Sequence, residues 1–133
     1  MSISGKRILV VDDDDSGRYS LAGLLEYEGA TAYQFENGAV AVKWLEDSQE
    51  ECHAVLMDLQ MPVMDGMTAV RHIRECLGLM ALPVIAITGQ SLHLIQDEAE
   101  KAGFNQVFEK PFEFSALLKA VAQLVHLSKN SNE

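Results

Sequence analysis

Apolar and polar positions fall into two alternating kinds of block along this chain. Short runs that are apolar at almost every position, such as Ile8 to Val11, Ala54 to Met57 and Val84 to Ile87, predict strands covered on both faces. With two weaker runs they place strands at about 7–11, 30–35, 54–57, 83–88 and 106–109. The stretches between them repeat apolar residues at three- and four-residue spacing, the signature of a helix with one buried face. Leu21, Leu24, Leu25 and Glu28 mark the first helix, and Val40, Ala41, Trp44 and Leu45 the second. Val70, Ile73 and Leu77 mark the third, Ile95, Ala99 and Ala102 the fourth, and Leu117, Leu118, Val121, Leu124 and Val125 the fifth.

The punctuation agrees with this alternation. Gly29, Asn37-Gly38, Gly78 and Gly103 fall at helix ends or turns, and Asp65 is placed to cap the third helix. Strictly alternating βα units with short loops imply a parallel, doubly wound sheet with right-handed crossovers. The expected fold is therefore α/β: one flavodoxin-like domain, a five-stranded parallel sheet in the order 2-1-3-4-5 with five helices. Residues 5–127 should form this unit, with 1–4 and 128–133 as flexible termini.

At 133 residues and 48% hydrophobic content the chain suits one globular domain. No apolar stretch approaches the roughly 18–20 residues a bilayer span needs, so no membrane partner is expected. The residues before the first strand contain no apolar signal-peptide core, which makes cytoplasm the expected location. A net charge of −10 argues against a nucleic-acid partner, which would require a basic stripe. Cys52 and Cys76 stand at no metal-ligand spacing and are expected as free, buried or half-buried thiols. His53, His72, His93 and His126 are scattered, so surface or helix-end roles are expected for them. Met57, Met61, Met64 and Met67 are expected as soft packing around a loop.

Chemistry enters at the ends of the strands. Four of the runs terminate in Asp12-Asp13, in Asp58, in Thr88 and in Glu109-Lys110-Pro111. In an open parallel sheet the carboxyl ends of the strands share one edge, and strands 1 and 3 flank the crevice where the chain reverses direction. Asp12, Asp13 and Asp58 would thus face one another, with Thr88 and Lys110 close by. Three carboxylates against one ammonium leave a double negative charge, which a divalent cation cancels. Hard oxygen donors, with no His or Cys among them, favour Mg²⁺ over zinc. A carboxylate beside Mg²⁺ can act as a nucleophile toward phosphorus, and phosphoryl transfer needs little beyond alignment and charge neutralisation. Asp14 and Asp15 read as helix-start residues.

These residues resemble the receiver domain of two-component response regulators and hybrid histidine kinases over nearly the whole chain. The matching segments are Ile8 through Asp15, Leu56 through Gly66, Ile85 through Thr88 and Gly103 through Phe112. The resemblance implies that Asp58 is the phosphoacceptor, that Asp13 and Asp58 ligate Mg²⁺ with the main-chain carbonyl of Gln60, and that Asp12 serves in the outer shell. It also implies that Thr88 supplies a hydroxyl that moves onto the phosphoryl group, that Lys110 is the cation, and that Lys110-Pro111 is a cis peptide.

The implied function is phosphoryl acceptance from the phosphohistidine of a histidine kinase or histidine phosphotransfer protein. The domain would not be an enzyme in its own right, but would assist its own phosphorylation and dephosphorylation. Output would pass to a downstream protein partner. One position departs from the family pattern: Val107 stands where an aromatic residue three before the lysine usually reports phosphorylation. Phe108 cannot replace it, since adjacent strand residues point to opposite faces. The expectation is that Thr88 still moves and that helix 4, strand 5 and helix 5 report the change through backbone shifts. Three other readings stand beside this one: a receiver-like interaction module without phosphorylation, a haloacid-dehalogenase-like phosphatase built on Asp12-x-Asp14, and a flavodoxin.

Overall fold

The computed structural model describes residues 2–131, with side chains as far as residue 127. Its elements alternate without exception: β1 Arg7–Val11, α1 Asp15–Tyr27, β2 Thr31–Phe35, α2 Gly38–Asp47, β3 Ala54–Asp58, α3 Gly66–Glu75, β4 Val84–Thr88, α4 Leu92–Ala102, β5 Gln106–Glu109 and α5 Phe114–Ser131. The strands form one parallel sheet in the order β2-β1-β3-β4-β5. Every residue of β3 and β4 is buried, as is all of β1 after Arg7, whereas edge strand β2 has no fully buried position. This is why three runs read as continuously apolar and the β2 run did not.

Two apolar layers sandwich the sheet. On one face Leu9, Val55, Met57 and Val84 meet Ala41 of α2, Ile73 of α3 and Ala99 of α4. On the other, Ile8, Val10, Leu56 and Ile85 meet Leu25 of α1 and Leu117 and Val121 of α5. Each fully buried Leu or Ile contributes about 1.5–3 kcal/mol. Asp14, Asn37 and Asp65 cap α1, α2 and α3, accepting the amides of Gly17, Val40 and Thr68 at 2.9, 3.1 and 2.8 Å. Gly103 closes α4 at φ 127°, in contact with Arg74, where any Cβ would lie 2.8 Å from Arg74 Cγ.

Several expectations need correction. Leu24 is 45% exposed, and the buried stripe of α1 is Arg18, Ala22 and Leu25. The Arg18 stem packs inward while its head donates to the Asp12 carbonyl at 2.7 Å and pairs with Asp15 at 2.6 Å. Ile3, assigned by the sequence pattern to the segment outside the folded unit, is buried in the core beside β1. Cys76 is exposed rather than buried, and only Cys52 sits below the surface, where burial pushes its thiol up to about 12. His53 is a strand-flanking residue: its Nδ1 accepts the Arg7 amide at 2.9 Å. At the other terminus α5 continues to Ser131, and the side chains of the polar tail from Ser128 lie outside the described residues.

Val63 follows Pro62 in the β3–α3 loop with φ 69°, a left-handed conformation for a β-branched residue that is 83% exposed. With nothing buried to offset it, this geometry costs about 1–2 kcal/mol. Val63→Asn is expected to raise the urea midpoint by the equivalent of about 1 kcal/mol at unchanged slope. An unchanged midpoint would show that the loop carries no such strain.

Candidate functional site

Asp12 and Asp13 leave β1 at its carboxyl end, and Asp58 ends β3, the strand paired to β1. The order of the sheet brings them together across the crevice between these strands. Carboxylate oxygens of Asp12, Asp13 and Asp58 lie within 4.8 Å of one another. Lys110, directly after β5, reaches across the same edge and bridges two of them: its Nζ donates to Asp12 Oδ2 and Asp58 Oδ2, both at 3.2 Å. The other oxygens are held locally. Asp12 Oδ1 accepts the Asp14 amide at 2.9 Å, and Asp58 Oδ1 accepts the Gln60 amide at 3.1 Å.

Exposure grades across the cluster: Asp58 is buried, Asp12 half-buried and Asp13 exposed. The buried group is the perturbed one. Burial raises the Asp58 carboxyl above the usual carboxylate range and Asp12 adds to this, against the Gln60 amide and Lys110, which act to lower it. For Lys110 burial acts to lower its affinity for a proton, but Asp58 and Asp12 outweigh it and hold the ammonium above its ordinary value. The lysine is firmly charged, and the carboxylate it faces is under-neutralised.

Thr88 ends β4 and is wholly buried. Its hydroxyl accepts the Gln90 amide at 3.1 Å. The main chain binds it to the lysine, since Lys110 N–H donates to the Thr88 carbonyl at 2.7 Å. Lys110-Pro111 is cis, as the resemblance implied. Gly66, the first residue of α3, lies so close to the Asp58 carbonyl that an added Cβ would stand 2.4 Å from that oxygen. Only glycine lets the helix start against the back of the Asp58 peptide.

The structure therefore brings Asp12, Asp13, Asp58 and Lys110 into one cluster, with Thr88 on the adjoining strand end. A set of hard oxygen donors without His or Cys suits Mg²⁺. The Asp12-x-Asp14 pair, by contrast, is divided: Asp14 Oδ2 is occupied capping α1 through the Gly17 amide. That removes the second acid a dehalogenase-like phosphatase would need. Val107 is buried among the residues under α4, and Phe108 points to the other face, against Phe112 at 6.3 Å. Trp44 is half-buried on α2, packed on Tyr33 and Phe35 of β2 at 5.0 and 6.1 Å.

Sequence reasoning missed Arg74 and Glu109. Arg74, four residues after Val70 on the buried side of α3, donates to the carbonyls of Leu79, Leu82 and Gly103 and to the Asn105 side chain. That spacing was the available signal. Glu109 Oε1 accepts the amide of Leu92, the first residue of α4. Nothing in the pattern of residues points to this contact.

Comparison with known proteins agrees with the geometry. The response regulator receiver domain family matches residues 8–122. Probable histidine kinase 6 of Oryza sativa is 36% identical across 96% of this chain, which spans 15% of that kinase's length. Protein PilH of Pseudomonas aeruginosa is 32% identical, with 86% of this chain and 93% of PilH aligned. Among solved structures, the receiver domain of a sensor histidine kinase from Pseudomonas aeruginosa superposes with a TM-score of 0.82 at 28% identity. The match covers 92% of this chain and 99% of that one, and that structure has a magnesium ion coordinated in its active-site cleft.

Proposed function

We propose that this chain, which belongs to the response regulator receiver domain family, accepts a phosphoryl group on the carboxylate of Asp58. It is a receiver domain of two-component signalling. The observation that carries the assignment of residues is the convergence of Asp12, Asp13 and Asp58 with Lys110 at one sheet edge. The donor is the phosphohistidine of a histidine kinase or histidine phosphotransfer protein, met in the cytoplasm. No described helix is long and apolar enough to cross a membrane.

An Asp58 oxygen attacks phosphorus, the P–N bond to the donor imidazole breaks, and its electron pair returns to that nitrogen, which takes up a proton. The product is an aspartyl phosphate. Attack by water at phosphorus later restores the carboxylate and releases inorganic phosphate. Lys110 Nζ, already 3.2 Å from Asp58, moves onto a phosphoryl oxygen as charge arrives there. Thr88 turns its hydroxyl from the Gln90 amide to a second oxygen. Asp13, Asp58 and the main-chain carbonyl of Gln60 would hold Mg²⁺, with Asp12 in its outer shell. The bound ion supplies the positive charge that lets an anionic donor approach an anionic nucleophile. The change then passes to a downstream protein partner.

Incubation with acetyl phosphate and Mg²⁺ is expected to add the mass of one phosphoryl group, and chelation of the metal to prevent it. A protein that gains no mass, or gains it equally under chelation, would overturn the reading.

A further inference from the structure

Three of the helices with described caps take them from the residue just before them, namely Asp14, Asn37 and Asp65. Helix α4 does not. Ser91 occupies the capping position with extended backbone, but its side chain makes no cap bond and is paired with His93 Nδ1 at 3.0 Å. The first amide of α4, on Leu92, instead donates at 2.8 Å to Glu109 Oε1, from a different strand and 17 residues away. A carboxylate at a helix N-terminus meets both an orphan amide and the positive end of the helix dipole.

Glu109 also has a particular neighbour in the sheet. It is the register partner of Thr88 and precedes Lys110, whose amide donates to the Thr88 carbonyl at 2.7 Å. Thr88, Glu109 and Lys110 thus form one block at the ends of β4 and β5. From that block to α4 the chain crosses only Gly89, Gln90 and Ser91. This connector is tied at both ends: the Gln90 amide to the Thr88 hydroxyl at 3.1 Å, and the Leu92 amide to Glu109. Gly89 has open space on the side where a Cβ would stand.

On the reading above, the Thr88 hydroxyl leaves Gln90 when Asp58 is phosphorylated. A three-residue connector cannot absorb that change without moving Leu92, and the Glu109 carboxylate resists the movement. We infer that Glu109 is a positioning residue that latches the first turn of α4 in its unphosphorylated place. An interaction made in only one of two states biases the equilibrium toward that state, and its removal shifts the population the other way. This inference rests on the phosphoacceptor reading and adds to it the identity of the side chain opposing the switch.

The test compares amide spectra of the full chain with and without Mg²⁺ and beryllofluoride, a phosphoryl mimic, for wild type, Glu109→Gln and Glu109→Ala. Without the mimic, the amides of residues 92–95 in both variants are expected partway along the line joining the wild-type free and bound positions, further for Ala than for Gln. Amide exchange at Leu92 is expected to quicken about five- to tenfold in Glu109→Ala, the equivalent of one lost cap. Adding Ser91→Asp to Glu109→Ala supplies a local cap without the tie to β5. It is expected to slow exchange at His93 or Leu94, the amides a cap at position 91 reaches, and to leave the amides displaced, a result that mere helix stabilisation would not produce. Variant amides that stay at the free position, leave that line, or return to it with Ser91→Asp would overturn the latch. If the mimic moves no amide around Asp58 in wild type, the phosphoacceptor reading itself fails.

Discussion

Replacing Asp58 by Asn is expected to abolish the phosphoryl mass gain from acetyl phosphate completely while making the metal-free protein more stable. The two effects have one origin. Burial, with Asp12 adding to it, raises the Asp58 carboxyl above its unfolded value despite the opposing Gln60 amide and Lys110. A folded state that holds a proton more tightly than the unfolded chain loses stability as pH rises through the window between the unfolded and folded values. Above that window the loss is complete, and the charged carboxylate is a standing liability to the fold. An amide of the same shape removes the charge and keeps an oxygen for the Gln60 amide. The expected gain is about 0.5–2 kcal/mol, the size common to single stabilising substitutions.

Mg²⁺ should reverse the order. Ligand that binds only the folded state stabilises it by about 2.7 kcal/mol at a hundredfold excess over its dissociation constant. The intact Asp12, Asp13 and Asp58 set should collect that energy, and the variant little of it. Urea midpoints with and without Mg²⁺ decide the matter. An Asp58→Asn protein that is less stable than wild type in chelator, or that still takes up a phosphoryl group, would contradict the assignment.

Arg74→Ala is expected to produce the opposite pattern, a large loss of stability with phosphoryl acceptance retained. Arg74 is 7% exposed, and its guanidinium makes five hydrogen bonds, all to neutral oxygens: two to Gly103, one each to Leu79 and Leu82, and one to the Asn105 side chain. Asn105 Oδ1 in turn accepts the amide of Val84, the first residue of β4. Burial lowers the guanidinium's affinity for its proton, and the ring of carbonyl oxygens compensates for the lost water. Truncation leaves those carbonyls unpaired and opens a void beside Gly103, a combined cost of about 3–5 kcal/mol. For a domain of this size that lowers Tm by roughly 10–15 °C. Arg74→Lys should recover little, because a compact ammonium cannot span oxygens set by a planar fork. The clamp joins the segments that enter β4 and β5, at the edge opposite Asp58, so at low temperature the variant should still gain one phosphoryl mass. A thermal shift of only a few degrees would show that the bonds contribute far less than their number suggests.

Much of this molecule is legible in its residues because its central strands are buried on both faces. Burial on both faces makes a strand continuously apolar, so β1, β3 and β4 stand out, and the first polar residue after each run marks a strand end. Strict alternation with helices then leaves few topologies, and each puts Asp12, Asp13, Asp58, Thr88 and Lys110 at the same edge. Arg18, Arg74 and Glu109 escaped because main-chain groups help hold them: the Asp12 carbonyl for Arg18, the carbonyls of Leu79, Leu82 and Gly103 for Arg74, and the Leu92 amide for Glu109. A carbonyl or an amide has no sequence signature, so a residue that binds one carries no complement to search for. Ile3 escaped for a related reason: a lone apolar residue before a strand has no period, and only the packed protein shows it buried in the apolar layer shared by α1 and α5.

The order of residues alone thus determined the class of fold and the sheet edge at which Asp12, Asp13, Asp58 and Lys110 meet, since these follow from local periodicity and the handedness of the chain. Tertiary structure decided the remainder. It set which carboxylate is buried enough to be perturbed, which oxygens Lys110 bridges, and which remote side chain fastens α4. Burial and hydrogen-bond geometry arise from segments distant in the chain, and no local pattern encodes them.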